Sequence, residues 1–182
     1  MAISGGAQFL NPKEILEKVS LIEGMKVADL GCGNLGYFII PAAKIVGKTG
    51  AAYAVDILKT ALESVRSRAK LEGLTNLETV WANLEDPATI KIPAGTLDVI
   101  FLKNVLFQNK KHKEIVSGAV KLLKKGGKII IVDWKKIGIP FGPPVDIRID
   151  KENIKAIVGA LNLRLVEETE FGEYFWGLVY QK

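Results

Sequence analysis

Three glycines and two acids carry the most chemistry in this sequence. Gly31, Gly33 and Gly36 fall within the run Asp29-Leu-Gly-Cys-Gly-Asn-Leu-Gly36, and Asp56 follows Gly36 by 20 residues. A glycine-rich turn between a strand and a helix lets main chain approach a ligand closely and turns N–H groups toward it. The pattern Gly31-x-Gly33-x-x-Gly36 fits a dinucleotide loop, and Asp56 stands where that fingerprint places an acid on ribose hydroxyls. Read on glycines alone, the loop fits a nicotinamide dinucleotide.

Asp29 shifts the balance. A carboxylate aimed into a loop that must hold a pyrophosphate would repel it, and would attract a ligand bearing an ammonium and a sulfonium centre. S-adenosylmethionine (SAM) has both charges and no phosphate. Further candidates stand near the ends of later apolar runs: Asn83 and Leu84, then Lys103 and Asn104, then Asp133. Lys103 and Asn104 lie at a strand's C-terminal end, where open α/β sheets bind ligands. Cys32 is the single cysteine, so no internal disulfide or thiol cluster is expected, and it reads as a small buried hydrophobe. His112 is the one histidine; it sits in the lysine run Lys110–Lys113 at a helix start and reads as a surface residue.

The elements that must hold these residues alternate. Strands are expected at 25–30, 51–55, 77–82, 97–102 and 127–132. Helices are expected from Asn11-Pro12, over 37–46, 59–72, 113–123 and 151–161, with Gly73 and Gly126 as stop signals. Two last strands, 164–170 and 174–181, are joined by a turn at Gly172, too short for anything but an antiparallel pair. The expected fold class is α/β: one Rossmann-like, doubly wound, mostly parallel seven-stranded sheet with an antiparallel C-terminal hairpin. A single domain is expected over 1–182. Residues 1–24 form its N-terminal helix and lid, 25–135 its cofactor-binding core, and 136–182 a substrate-side loop, helix and hairpin.

Composition bounds the function. With 48% apolar and 25% charged residues the 182-residue chain is globular and can bury a sizeable core. No apolar run approaches the ~20 residues of a membrane span, and Met1–Phe9 has neither the basic nor the apolar region of a secretory signal, so a cytoplasmic protein is expected. The net charge of +5 would suit an RNA partner, but the lysines are spread along the chain.

Val27-Ala-Asp-Leu-Gly-Cys-Gly33 resembles the first motif of class I SAM-dependent methyltransferases, and the rest of the chain follows that plan in order. Val55-Asp56 resembles the acid on the ribose hydroxyls, with Ile57 beside it. Trp81-Ala-Asn83-Leu84 resembles the stretch that contacts adenine, Leu97–Leu106 the fourth strand and its loop, and Leu122–Val132 the helix-turn-strand before the substrate loop. Within the class the chain is most similar to small-molecule enzymes of the ubiquinone/menaquinone methyltransferase type, to which Val132-Asp-Trp-Lys-Lys136 and Gly142-Pro-Pro144 also point.

The resemblance implies SAM as cofactor, held by Asp29, Gly31, Cys32, Gly33, Gly36, Asp56, Ile57, Asn83, Leu84, Lys103 and Asn104. Asp133 is the candidate catalytic base, and no metal site is implied. In one departure the third glycine comes one residue late: either the loop is longer, or Asn34 or Leu35 takes that glycine's place. Asp133, Trp134, Lys135 and the loop to Ile147 are expected to line the acceptor side, with the segment around Phe9 as a lid. The expected activity is in-line methyl transfer to a small molecule. RNA methylation, a SAM-binding domain without catalysis and an NAD(P)-binding oxidoreductase stand as alternatives. The segment Asn/Asp-Pro-Pro-Tyr/Phe of amino-methylating DNA and glutamine enzymes does not follow the fourth strand. A single cysteine speaks against the arsenite and cysteine-using RNA enzymes, and the few acids near strands four and five against the metal-dependent catechol type.

Overall fold

The computed structural model describes residues 9–182. Of the expected lid around Phe9, residues 1–8 lie outside them. The elements in order are α1 (Pro12–Val19), β1 (Lys26–Leu30), α2 (Ile39–Val46), β2 (Ala51–Asp56), α3 (Lys59–Leu71), β3 (Leu77–Trp81), β4 (Leu97–Lys103), α4 (His112–Leu122), β5 (Leu123–Trp134), α5 (Lys151–Gly159), β6 (Arg164–Phe171) and β7 (Phe175–Gln181). The seven strands form one sheet in the order β3-β2-β1-β4-β5-β7-β6. Strands β1 to β5 pair in parallel, while β7 enters antiparallel between β5 and β6. This is the expected architecture.

Period-two alternation sorts each inner strand onto two covered faces. Val27, Ala52, Val99, Phe101, Ile130 and Val132 pack under α1, α2 and α3, whose inward residues include Ile15, Ile39 and Val65. Ala28, Val55, Ile100, Leu102, Ile129 and Ile131 pack on the other face under α4 and α5, which supply Ile115, Val116, Ile154 and Val158. The helices start where their caps dictate. Asn11 Oδ1 accepts the Lys13 N–H at 3.0 Å, with Pro12 in the first turn, and Asp150 Oδ1 accepts the Glu152 N–H at 3.0 Å.

Some boundaries differ from expectation for local reasons. Helix α2 begins at Ile39 rather than at 37: the turn of the glycine loop, with Gly36 at a left-handed φ of +56°, runs on to Phe38, which stands at the N-cap. Strand β5 starts at Leu123 rather than at 127: Leu123 pairs with Leu97 across a bulge before the regular ladder resumes at Lys128. Strand β4 also runs one residue further than expected, to Lys103.

The chain order reverses between β1 and β4. From β1 it winds outward through β2 and β3, then returns to the other side of β1 to build β4 and β5. The helices therefore leave in opposite directions, and a crevice opens at the carboxyl ends of β1 and β4. Among the described residues no helix is long and apolar enough to cross a membrane.

Phe101, fully buried on the central strand β4, reports on this core. Phe101→Ala should lower unfolding stability by about 3–5 kcal/mol, read from urea midpoints. A loss under about 1 kcal/mol would contradict its central position.

Candidate active site

The glycine loop is fastened to β2 from both sides. The N–H groups of Gly31 and Cys32 both donate to Val55 O, at 2.8 and 3.0 Å. Asp56, at the end of β2, accepts the Gly33 N–H on one oxygen at 2.9 Å and the Leu58 N–H on the other at 3.0 Å. It therefore ties the loop to the start of α3, and each oxygen keeps a further lone pair for a ligand. The glycines differ in purpose. A Cβ on Gly31 (φ +83°) would lie 2.4 Å from Val105 Cγ2, so the strand-four loop closes directly over it. Gly33 (φ +64°) faces open space. The late Gly36 faces inward: a Cβ there would lie 3.1 Å from Ile40 and from Val65. Its place is the contact of the loop with α2 and α3, not the crevice.

Asp29 is not a free carboxylate. It is fully buried, and both its oxygens lie within hydrogen-bond reach of Lys103 Nζ, at 2.7 and 2.9 Å. The ammonium also sits 4.3 Å from the centre of the Phe38 ring. Burial pushes the Asp29 pKa up and Lys103 pulls it down. The pair is close to neutral from a distance, so the expected repulsion of a pyrophosphate by Asp29 loses most of its force. The sequence placed both residues at the site but not in contact. The signal was there: opposite charges near the carboxyl ends of two strands that flank the reversal.

Asn104 follows at a φ of +53°, a left-handed conformation that asparagine tolerates better than most residues. Its side chain is 5% exposed, yet neither Oδ1 nor Nδ2 has a partner. An unsatisfied buried amide is costly in a folded protein. A ligand that bonds to it removes the cost.

Asp133 departs from its expected role. It is fully buried; one oxygen accepts the N–H groups of Leu106 and Phe107 at 3.1 and 3.3 Å, and the other accepts its neighbour's, Trp134, at 2.8 Å. Enclosed in this way it holds the turn after β4, and no oxygen is presented to an acceptor as a base requires. Other candidates have local duties too. Asn83 Oδ1 accepts the Glu85 N–H at 3.0 Å in a turn. Leu84 is half-buried beside it, whereas Ile57 is half-exposed at the crevice rim and its carbonyl accepts the Trp81 indole N–H at 2.8 Å. Cys32 is buried and burial pushes its thiol pKa well up, as expected of an inert residue. His112 is half-buried rather than a surface residue, and its Nε2 lies 3.0 and 2.8 Å from the carbonyls of Leu106 and Asn109.

Sequence reasoning missed Arg148. This residue is 2% exposed and has no carboxylate partner among the described residues. Its guanidinium donates to the carbonyls of Pro143, Lys135 and Ile137 at 2.8, 2.9 and 2.8 Å, and lies 5.3 Å from the Trp134 ring. It gathers the loop 135–148 over the end of β5. Beneath that loop, Phe9 stacks on Phe141 at 5.0 Å, Tyr174 meets Phe141 edge-on at 5.0 Å, and Phe175 lies 4.4 Å from Trp134. These rings form one aromatic cluster at the end of β5, in which Trp134 and Phe175 are fully buried. The loop 135–148 is thus gathered around Trp134, while Asp133 turns away from it.

Two outcomes test this geometry. Burial raises the Asp133 pKa from its ordinary 3.8 to about 7, against the three N–H groups that favour the anion. Between those values the folded chain holds a proton that the unfolded chain has released, so the group stabilises fully below the lower value and its contribution is lost as pH rises toward 7. Asp133→Asn should flatten that part of the stability profile, measured by urea unfolding between pH 4.5 and 8; an unchanged slope contradicts the enclosure. Cys32 should resist iodoacetamide in the folded chain at pH 8 and react in urea, as followed by intact mass.

Comparisons with known proteins bear on the fold and the family. A protein from Saccharolobus solfataricus named "Probable cobalt-precorrin-6B C(15)-methyltransferase (decarboxylating)" is 33% identical over 116 residues, 64% of this chain and 56% of that protein. A ubiquinone/menaquinone biosynthesis C-methyltransferase of Laribacter hongkongensis is 27% identical over 149 residues, 80% of this chain and 57% of that one. The chain thus spans little more than half the length of these two curated relatives. The crystal structure of a SAM-dependent methyltransferase from Aquifex aeolicus shares the fold with a TM-score of 0.84 at 24% identity, covering 98% of this chain and 93% of that one. The family model described as "Methyltransferase domain" matches residues 21–164, from just after α1 to the start of β6, and the chain belongs to that family.

Proposed function

We propose that this chain transfers a methyl group from SAM to a small-molecule acceptor. One observation carries the reading: at the crevice of a methyltransferase-family sheet, a clamped Asp56 and an open Gly33 stand near the strand end where the buried Asn104 amide has no partner. The donor fits these groups. Its ribose hydroxyls suit the free lone pairs of Asp56, its adenine suits the apolar rim at Ile57 and Leu84, and its amino-acid end suits the polar floor at Asp29, Lys103 and Asn104. Cys32 lines the same loop, and Gly36 supports it from behind. The names of the curated relatives, both C-methyltransferases, support a small-molecule acceptor.

When bound, the donor supplies a methyl group already activated by the sulfonium. What remains for the protein is alignment and exclusion of water. Phe141 and Phe9 pack over the buried Trp134 and offer apolar surface beside it, and Arg148 fixes the loop that carries Phe141. Asp133 positions the Leu106–Phe107 turn rather than moving a proton. The RNA reading gains little, since many lysines are engaged in ion pairs, among them Lys18, Lys44, Lys124, Lys135, Lys151 and Lys155. The chain's division into a core over 25–135 and an acceptor side over 136–182 belongs to the same proposal, as does a cytoplasmic location.

Calorimetry with S-adenosylhomocysteine and NAD tests the donor. The first should bind and the second should not, and Asp56→Asn should weaken the first at least about tenfold, or about 1.4 kcal/mol. Tight NAD binding with no response to S-adenosylhomocysteine would sink the proposal. Asn104→Gly, which keeps the left-handed backbone and removes the amide, should preserve the melting temperature and weaken the same ligand; unchanged affinity would remove Asn104 from the site.

A further inference from the structure

We propose that the edge of the sheet opposite the crevice is a docking surface for the phosphate backbone of a nucleic-acid duplex. The inference does not rest on the methyl-donor reading. Strands β1, β4, β5, β7 and β6 lie side by side in that order. Four of them bring their amino ends to this edge, and the antiparallel β7 brings its carboxyl end. The edge is formed by residues 22–26, 93–98, 121–128 and 162–165. It carries Lys26, Lys121, Lys124, Lys125, Lys128 and Arg164. Against these six cations stand two acidic side chains, Glu23 and Asp98, so most of the chain's formal net charge of +5 is on this one edge. The cations are far apart in sequence, and strand order gathers them. Four strand spacings of about 4.8 Å put Arg164 roughly 19 Å from Lys26 along the row.

Most of these charges are uncompensated. Lys124 pairs with Asp98, whose other oxygen accepts the Lys26 N–H at 2.8 Å. Arg164 donates to the neutral Gln181 Oε1 at 2.6 Å. Among the described residues, Lys26, Lys121, Lys125 and Lys128 have no carboxylate within ion-pair distance. Lys124 and Lys125 are exposed on the bulge that precedes Lys128 in β5. The surroundings select the partner. A single strand asks for aromatic rings on which bases stack, but the exposed aromatic side chains, Phe9 and Trp81, stand at the carboxyl ends of the strands. A lipid surface asks for a continuous apolar face. The exposed large apolar side chains of this edge, Ile22 and Leu165, stand at opposite ends of the row. Lysines without such neighbours suit phosphates, which a duplex presents outward with its bases turned in. A duplex held here leaves the crevice free at the other end of the sheet.

The test uses the full chain with three probes: a short labelled duplex and one of its strands alone, both by fluorescence anisotropy, and phosphatidylglycerol vesicles by flotation. The duplex should bind more tightly than the single strand, and the vesicles should not retain the protein. Between about 50 and 200 mM salt, the plot of log K against log salt for the duplex should have a slope of about −3 to −4, as the unpaired lysines imply. Lys26→Gln, Lys121→Gln and Lys125→Gln combined should reduce that slope by about one for each lysine removed. A control that removes the same charge at the other end of the sheet, Lys59→Gln, Lys111→Gln and Lys113→Gln combined, should leave the slope unchanged. If the first triple variant fails to fold, Lys125→Gln alone should lower the slope by about one. Absence of duplex binding at about 50 mM salt, tighter binding of the single strand, retention by vesicles in place of the duplex, or equal losses in the two triple variants each overturns the inference.

Discussion

The reversal of chain direction between β1 and β4 is the constraint from which the site follows. Parallel strands need crossovers, and crossovers must cover both faces of a sheet that is apolar on both. Winding first one way from β1 and then the other leaves one gap in the covering, at the strands' carboxyl ends. Every polar residue of the site reaches that gap from a strand end or the turn after it: Asp29 from β1, Asp56 from β2, Lys103 and Asn104 from β4. The core can be fully apolar because the polar chemistry is confined to where the hydrogen-bond ladder stops.

Much of this was legible in the sequence. Alternation of apolar runs, with Asn11, Gly73 and Asp150 as punctuation, gave element order, and the short turn at Gly172 gave the antiparallel end of the sheet. The positions of Asp29, Asp56 and Asn104 followed from strand ends. Their partners did not. Pairing of Asp29 with Lys103 depends on which strands become neighbours, and periodicity does not encode strand order. The enclosure of Asp133 was hidden for a related reason. A carboxylate near a strand's carboxyl end is placed by sequence, but whether it faces ligand or main chain depends on how the next loop folds back, here on N–H groups some 26 residues earlier.

The late glycine shows the same limit on a smaller scale. Spacing alone left Gly36 between a ligand role and a displaced one. Packing separates these: Gly33 opens outward, while Gly36 is pressed against Ile40 and Val65. The loop is thus built in two halves, an outward-facing half tied to β2 by Asp56 and Val55, and a helix-facing half whose glycine permits close approach. Motif letters record the glycines without distinguishing these two demands.

The manner in which Arg148 holds the loop 135–148 has a consequence for how this protein can diversify. Its guanidinium grips carbonyl oxygens of residues 135, 137 and 143, groups that every amino acid possesses. The path of the loop is therefore set by main chain and one anchor, and several side chains along it, such as Ile137 and Val145, are half-exposed and outside that grip. Substitutions among them can reshape the exposed surface of the loop without loosening the frame. Surface and architecture are separable in this segment, and its exposed side chains can change one residue at a time on an unchanged scaffold.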